Sequence, residues 1–492
     1  MLQRIAADPN TRGVLLEING LAAGVATLQS LRDELALFRQ SGKRVVAYLL
    51  SLDNASYYVA CAADEIITPP TAQFLVVGIR AEIQFLKDAL AKFGIDADVE
   101  AVSPYKSAYD TFVRSDISPE NRAQLERLLD QRFAELIRGI AQGRGKREED
   151  VQALIDSAPL TGSEALEHGL VDALRYEDEL PEHLHVSGEQ AVILDWNKAQ
   201  RALLLTKARF FRRVVGVVPI EGTITSGGSR TLPVPLPLFG GQQAGSDSVA
   251  QALRQAERNP RIAAVVVYVN SGGGDAFASD LMWREVLRVR QKKPVVVVMG
   301  DVAASGGYYL AAPASLIIAQ PGTVTGSIGV VTLRPIVGGL LERAGINTVV
   351  LSRGAHSGLL SISRPPTEEE RQAVRRSIFS TYEEFKRRVR EGRGLSDDQL
   401  EPIAGGRVWL GAEAQNLGLV DQLGGIPAGL VKAQELARLP QDRTAPLALL
   451  RGGRGTLSPQ PFPTNSVAEV LEAAEAALRV RVWTVLPFVG LY

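Results

Sequence analysis

A serine placed where a strand runs into a helix is positioned for nucleophilic chemistry, and this 492-residue chain has one at Ser305. It lies in Asp301-Val302-Ala303-Ala304-Ser305-Gly306-Gly307-Tyr308-Tyr309, after the β-branched run 295–298, which reads as a buried strand, and before an apolar helical pattern. At such a junction the hydroxyl stands beside backbone N–H groups that the helix leaves unpaired, and beside the positive end of its dipole. A Ser-Gly-Gly turn is also an ordinary way to leave a strand, so the turn alone does not decide its use. A nucleophilic serine needs a base. The four histidines, His168, His183, His185 and His356, are scattered. His183 and His185 fall in an acidic, Pro-containing stretch and read as solvated, which leaves His356 as the only histidine available to a triad. The single cysteine, Cys61, excludes an intramolecular disulfide framework and a Cys-rich metal site, and no motif calls for a metal or cofactor.

The totals set the frame for these residues. An apolar fraction of 46% with 22% charged residues is that of a globular protein, and the length exceeds one ordinary core, so two or more domains are expected. A net charge of −1 offers no basic surplus for nucleic acid. Residues 1–8 contain Arg4 and no apolar core of signal-peptide length, and no run of 18 or more uncharged apolar residues occurs, so neither a secretory signal nor a transmembrane helix is expected.

The chain repeats itself. Pro9/Pro260, Asn19/Asn270, Tyr57/Tyr308, Tyr58/Tyr309, Gly78/Gly329 and Gly94/Gly345 share a spacing of 251 (309 − 58), and Arg122/Arg371, Glu135/Glu384 and Asp172/Asp421 one of 249 (421 − 172). So many identities in register imply two copies of one fold. In the second copy, apolar runs at 214–220, 263–269, 295–299, 316–319 and 348–351 predict strands. Helices are predicted over 248–258, 277–290, the segment after Ser305, and 368–390. Near-continuous apolar strands alternating with helices predict an α/β fold with mostly parallel sheets flanked by helices. The expected division is an N-terminal repeat over 1–175, a linker over 176–212, a C-terminal repeat over 213–438, and a Gly/Pro-rich linker with a helix at 467–480 over 439–492. Nothing in the first copy matches the strand 214–220. Either a neighbouring segment fills that slot or a further N-terminal piece precedes this chain; the apolar tail 481–492 offers a strand, which Pro487 would confine to an edge. The segment 227–245, with Pro233, Pro235 and Pro237, reads as a long loop, on the surface or as a lid.

The duplication permits a comparison of the copies. After its strand the second has Asn270-Ser271-Gly272-Gly273-Gly274, where the first has Asn19-Gly20-Leu21-Ala22-Ala23. Successive glycines let backbone approach a ligand and turn N–H groups outward. Opposite Ser305 stands Asn54, or Ser56 if a two-residue gap is allowed; the pair Gly306-Gly307 has no counterpart, and Ser327 faces Val76. The first copy offers Lys106 instead, opposite Ser357. With histidine scarce, a lysine is the natural base if burial lowers its pKa from about 10.4. Sequence alone does not bring Lys106 to Ser305.

Asn270-Ser271-Gly272-Gly273-Gly274, Asp301 to Tyr309, Thr325-Gly326-Ser327-Ile328-Gly329 and Tyr105-Lys106-Ser107, in this tandem order, resemble signal peptide peptidase A of the long, tandem-domain 67 kDa type. That family belongs to the Clp protease/crotonase superfamily. The resemblance covers nearly the whole chain. It implies tandem duplicated Clp protease/crotonase-like domains and a serine peptidase with a Ser-Lys dyad. Ser305 would be the nucleophile, Lys106 the general base and Ser327 the group orienting the lysine, with Gly273 and Gly306 holding the oxyanion. It further implies peptide substrates, the remnants of cleaved signal peptides. The family forms a homotetramer at a membrane surface, in the cell envelope at the outer face of the cytoplasmic membrane. Gly272 departs from the family's usual proline, and its membrane anchor has no match here. Two other readings exist, a crotonase-like acyl-CoA enzyme with acidic groups in its pocket and a non-catalytic scaffold of the same fold. Only the first copy has lost the motifs, as one active site per chain would leave it.

Overall fold

A computed structural model describes residues 2–185, 191–196, 198–199, 213–232, 241–441, 447–452, 483–485 and 490–491. The chain forms two compact units, one from Met1–Arg80 with Leu129–Phe210 and the other from Ala81–Leu128 with Phe211–Tyr492. The segment Ala81–Leu128, which the repeat assigns to the first copy, therefore belongs to the second unit. The predicted linker 176–212 lies partly outside the described residues, and the predicted helix 467–480 wholly so.

The first unit holds a parallel sheet in the order Gly13–Ile18, Arg44–Leu49, Glu65–Thr68, Ala173–Leu174, and a small sheet of Leu52–Asp53, Gln73–Leu75 and Leu160–Thr161. The second unit repeats this order with Ile262–Ser271, Val295–Ala304, Leu316–Ala319 and Gln422–Leu423, while the end of Val295–Ala304 pairs with Val324–Gly326 and that strand with Val408–Leu410. It adds Val214–Glu221 and Leu447–Leu449 beyond Ile262–Ser271. Val214–Glu221 has no counterpart strand among the described residues of the first unit. Helices repeat in the same register, Val25–Arg39 as Ala276–Arg290 and Pro119–Arg144 as Glu368–Arg393. The duplication is thus one of architecture as well as of letters.

The shared residues explain why both copies hold the fold. Asp172 accepts from Ile66 N–H and pairs with Arg144; Asp421 accepts from Ile317 N–H and pairs with Arg393. The buried hydroxyls of Tyr57 and Tyr308 donate to the carbonyls of Leu170 and Leu419 at 2.6 and 2.9 Å. Each bond satisfies a buried polar group that would otherwise cost about 1–3 kcal/mol. The central strands of the second unit are valine-rich because both faces are covered: Val265, Val267, Val295 and Val297 are fully buried. Cys61 is buried in the first unit, where burial pushes its thiol up to about 12.

Three expectations are corrected. The apolar run 348–351 forms no strand; Val349, Val350 and Leu351 are 83%, 66% and 89% exposed, because no neighbouring strand in the chain pairs with them. The segment 227–245 is not simply a loop, since Arg230–Leu232 and Gly241–Gly245 pair antiparallel; the prolines between them lie outside the described residues. The tail is not at an edge either. Trp483–Val485 lies between Gly273–Asp275 and Val331–Ile336 in a seven-stranded sheet that ends in Asp96–Ala101. Pro487 lies outside the described residues. Among the described residues no helix is long and apolar enough to cross a membrane.

Candidate active site

The strand Val295–Ala304 delivers Ser305 to the N-cap of the helix Gly306–Ala311. Ser305 has φ 54° and ψ −118°, a backbone region costly for a side chain, on the order of 1–3 kcal/mol. It is pinned there from both sides: its N–H donates to Gly326 O, and its carbonyl accepts from Tyr309 N–H, each at 2.8 Å. Glycine follows of necessity, since a Cβ on Gly307 would sit 2.7 Å from Ser271 O. In the first copy the turn is ordinary. Asp53 caps the helix Asn54–Ala60 at φ −74°, and the buried Ser56 hydroxyl donates to Asp53 at 2.8 Å. Asn54 is spent on Gly78 O. Only the second copy builds the strained turn.

Lys106 reaches this turn within the second unit. Its Nζ lies 2.7 Å from Ser305 Oγ, 2.8 Å from Ser327 O and 3.0 Å from Ser327 Oγ, and all three residues are fully buried. Ser327 is itself held at φ 53°, its N–H donating to Arg407 O at 2.6 Å. Burial, with no other contribution, holds the Lys106 amine well below the ordinary lysine value. The lysine backbone is gripped by a loop that sequence reading missed. Ser103 Oγ donates to Gly405 O, Gly406 N–H donates to Ile328 O at 2.8 Å, and a Cβ on Gly406 would meet Lys106 Cα and Cβ at 2.7 Å. The Arg407 guanidinium lies over the Tyr105 ring at 3.9 Å. The signal was present in the repeat, because the 249 spacing sets Asp156-Ser157 opposite Gly405-Gly406 (405 − 249 = 156).

The remaining predicted residues fall nearby in the fold. Gly306 N–H is at the first position of its helix, where an α-helix supplies no partner. Gly273 N–H donates to Ser271 Oγ at 3.1 Å, and that hydroxyl donates to Gly222 O at 2.6 Å. Gly273 also stands in register with Val485. His356 is exposed, whereas His183, expected to be solvated, lies 2.6 Å from Glu65 Oε1. Ser357, the counterpart of Lys106, is exposed.

The model of peptidase family S49 matches this chain twice, over residues 37–190 and 288–440. The chain belongs to peptidase family S49. Over 461 residues this S49 chain is 33% identical to "Serine protease SPPA, chloroplastic" of Arabidopsis thaliana, an alignment covering 91% of this chain and 66% of that one. It is 30% identical over 459 residues to "Protease 4" of Haemophilus influenzae, with 90% and 72% covered. It is 31% identical over 453 residues to "Protease 4" of Salmonella typhi, with 88% and 70% covered. Among solved structures, ClpP1 from Listeria monocytogenes covers 44% of this chain at 17% identity and a TM-score of 0.27, a score on which no argument rests. The two S49 matches coincide with the two copies read from the repeat.

Proposed function

We propose that this S49 chain is a serine–lysine dyad endopeptidase that hydrolyses cleaved signal peptides and similar apolar segments through an acyl-enzyme. The observation that carries the reading is the 2.7 Å approach of a buried Lys106 amine to Ser305 Oγ. A neutral amine has two N–H bonds and one lone pair. The two N–H groups donate to Ser327 O and Oγ, and the lone pair accepts the Ser305 hydroxyl. The amine takes the Ser305 proton as Oγ attacks the peptide carbonyl, and the oxyanion is held by Gly306 N–H. Gly273 N–H becomes the second donor on exchanging its bond to Ser271. The lysine then gives its proton to the leaving amine. Water repeats the sequence on the acyl-enzyme, its proton passing through Lys106 back to Ser305 as the acid departs.

An extended substrate is supported by the pairing of Trp483–Val485 with Gly273–Asp275, which shows that backbone beside the oxyanion glycine takes an antiparallel strand. The acyl-CoA alternative calls for acidic groups in the pocket, but no carboxylate contributes to the lowered pKa of Lys106. By the resemblance, the working form is a homotetramer at a membrane surface, in the cell envelope at the outer face of the cytoplasmic membrane. Ser305→Ala and Lys106→Ala should each cut hydrolysis of a short apolar peptide ester by on the order of 10³-fold or more, with the circular dichroism unchanged. Full activity in Lys106→Ala would refute the dyad.

A further inference from the structure

The exposed run 348–351 has a partnered twin. Its counterpart in the first copy is the strand Asp96–Ala101, which pairs antiparallel with Val331–Ile336, Asp98 opposite Arg334 and Glu100 opposite Thr332. Both strands lie between the anchor glycines of the repeat, Gly78/Gly329 and Gly94/Gly345, which hold the 251 spacing without a gap. The pairing therefore translates residue by residue. Asp96–Ala101 becomes 347–352, and Val331–Ile336 becomes 80–85. Within one chain these two translated segments do not pair.

We propose that 347–352 of one protomer pairs antiparallel with 81–85 of a second copy, so that the chain assembles head to tail through a duplicate of its own internal strand pair. The predicted register sets Val349 opposite Ile83 and Leu351 opposite Ala81.

The side chains have changed together on both strands. In the pair within the chain, Asp98 is held by Arg334 and Arg371, each at 2.9 Å, and Glu100 by Arg371 and Arg375 at 2.8 and 2.7 Å. In the translated pair both acids are apolar, Val349 and Leu351, and the counterparts of Arg334 and Arg375 are Ile83 and Glu126. Only Arg122 keeps its type, and it lies 3.8 Å from Glu126. Loss of the acids alone would leave arginines facing a valine and a leucine at a cost in desolvation; loss on both strands leaves a matched apolar seam. The receiving edge has the required sense. In the single chain, Gly490–Leu491 pairs antiparallel with Glu82 and Ala81, a two-residue bridge that a six-residue partner displaces. A β-prone apolar segment exposed at 66–89% is otherwise an aggregation hazard that proteins cover. A head-to-tail contact closes into a ring or runs on as a filament.

This surface deepens the homo-oligomer part of the reading above and does not depend on its catalytic part. Sedimentation velocity of the full chain over a concentration series tests it. Val349→Asp and Leu351→Lys, at exposed positions that leave the protomer fold intact, should each weaken association roughly tenfold or more by setting a charge in the seam. Ile83→Arg should do the same. The combination Ile83→Arg with Val349→Asp recreates the Asp98–Arg334 pair and should bring association back to within a few-fold of the parent. A parent chain that stays monomeric, or exposed-site variants that sediment like the parent, overturns the proposal. A double variant that folds and remains as dissociated as the single ones overturns the register. Where Ile83→Arg alone unfolds, the two exposed-site variants decide. A changed Ser305→Ala phenotype bears on catalysis only and leaves the sedimentation result standing.

Discussion

Lys106 is a buried amine without a counter-charge, and its proton equilibrium is tied to folding. In the unfolded chain it titrates near about 10.4, whereas burial holds the folded value well below that. Between these two values the unfolded state carries a proton that the native state lacks, so the Lys106 contribution to stability rises with pH and levels off near 10.4. Each unit of displacement is worth about 1.4 kcal/mol. In Lys106→Met that slope disappears. Denaturant unfolding at pH 7 and pH 10 should show the parent gaining on the variant as the pH rises. A difference independent of pH would mean that the amine is charged in the native state. The serine is burdened too, by its φ of 54°, and both costs fall on the same contact.

At the scale of elements, the site depends on how three turns meet. Val295–Ala304 brings Ser305, Val324–Gly326 brings Ser327, and the loop before Val408–Leu410 grips the lysine through Gly405 and Gly406. Gly406→Ala adds a methyl 2.7 Å from Lys106 Cα at a residue with φ 87°, so the lysine backbone must shift. A displacement near 1 Å in a reacting group costs about 10²-fold in rate. Steady-state kinetics should show a fall of that order in kcat with KM little changed; an unchanged kcat would remove Gly406 from the positioning of the base. The sequence made most of these elements legible, because strong periodicity and an internal repeat check each other. It led to Ile262–Ser271, Ala276–Arg290 and Glu368–Arg393 within a few residues. It failed at 348–351, where the β-branched pattern is right for a strand but pairing requires a partner that the pattern does not supply. It missed Gly405-Gly406 because a glycine pair in a loop carries no chemistry of its own; only its contact with Lys106 gives it one.

Over the whole molecule, duplication divides labour between two copies. The paired aspartates, arginines and tyrosines that hold the sheets persist in both, while the strained turn and its glycines are kept once. Ser305, Ser327 and Lys106 were legible as types and, through the copy comparison and the family pattern, as a set. Their meeting was not, since Lys106 and Ser305 are 199 residues apart and only tertiary structure closes that distance. The account rests on Lys106 serving as a neutral base for Ser305, and the pH dependence of kcat/KM on an apolar peptide ester tests it most directly. The predicted profile has one ascending limb, with a pKa well below the free-lysine value of about 10.4, and Lys106→Met abolishes it. A limb at the free-lysine value, or one that survives in Lys106→Met, would contradict the dyad.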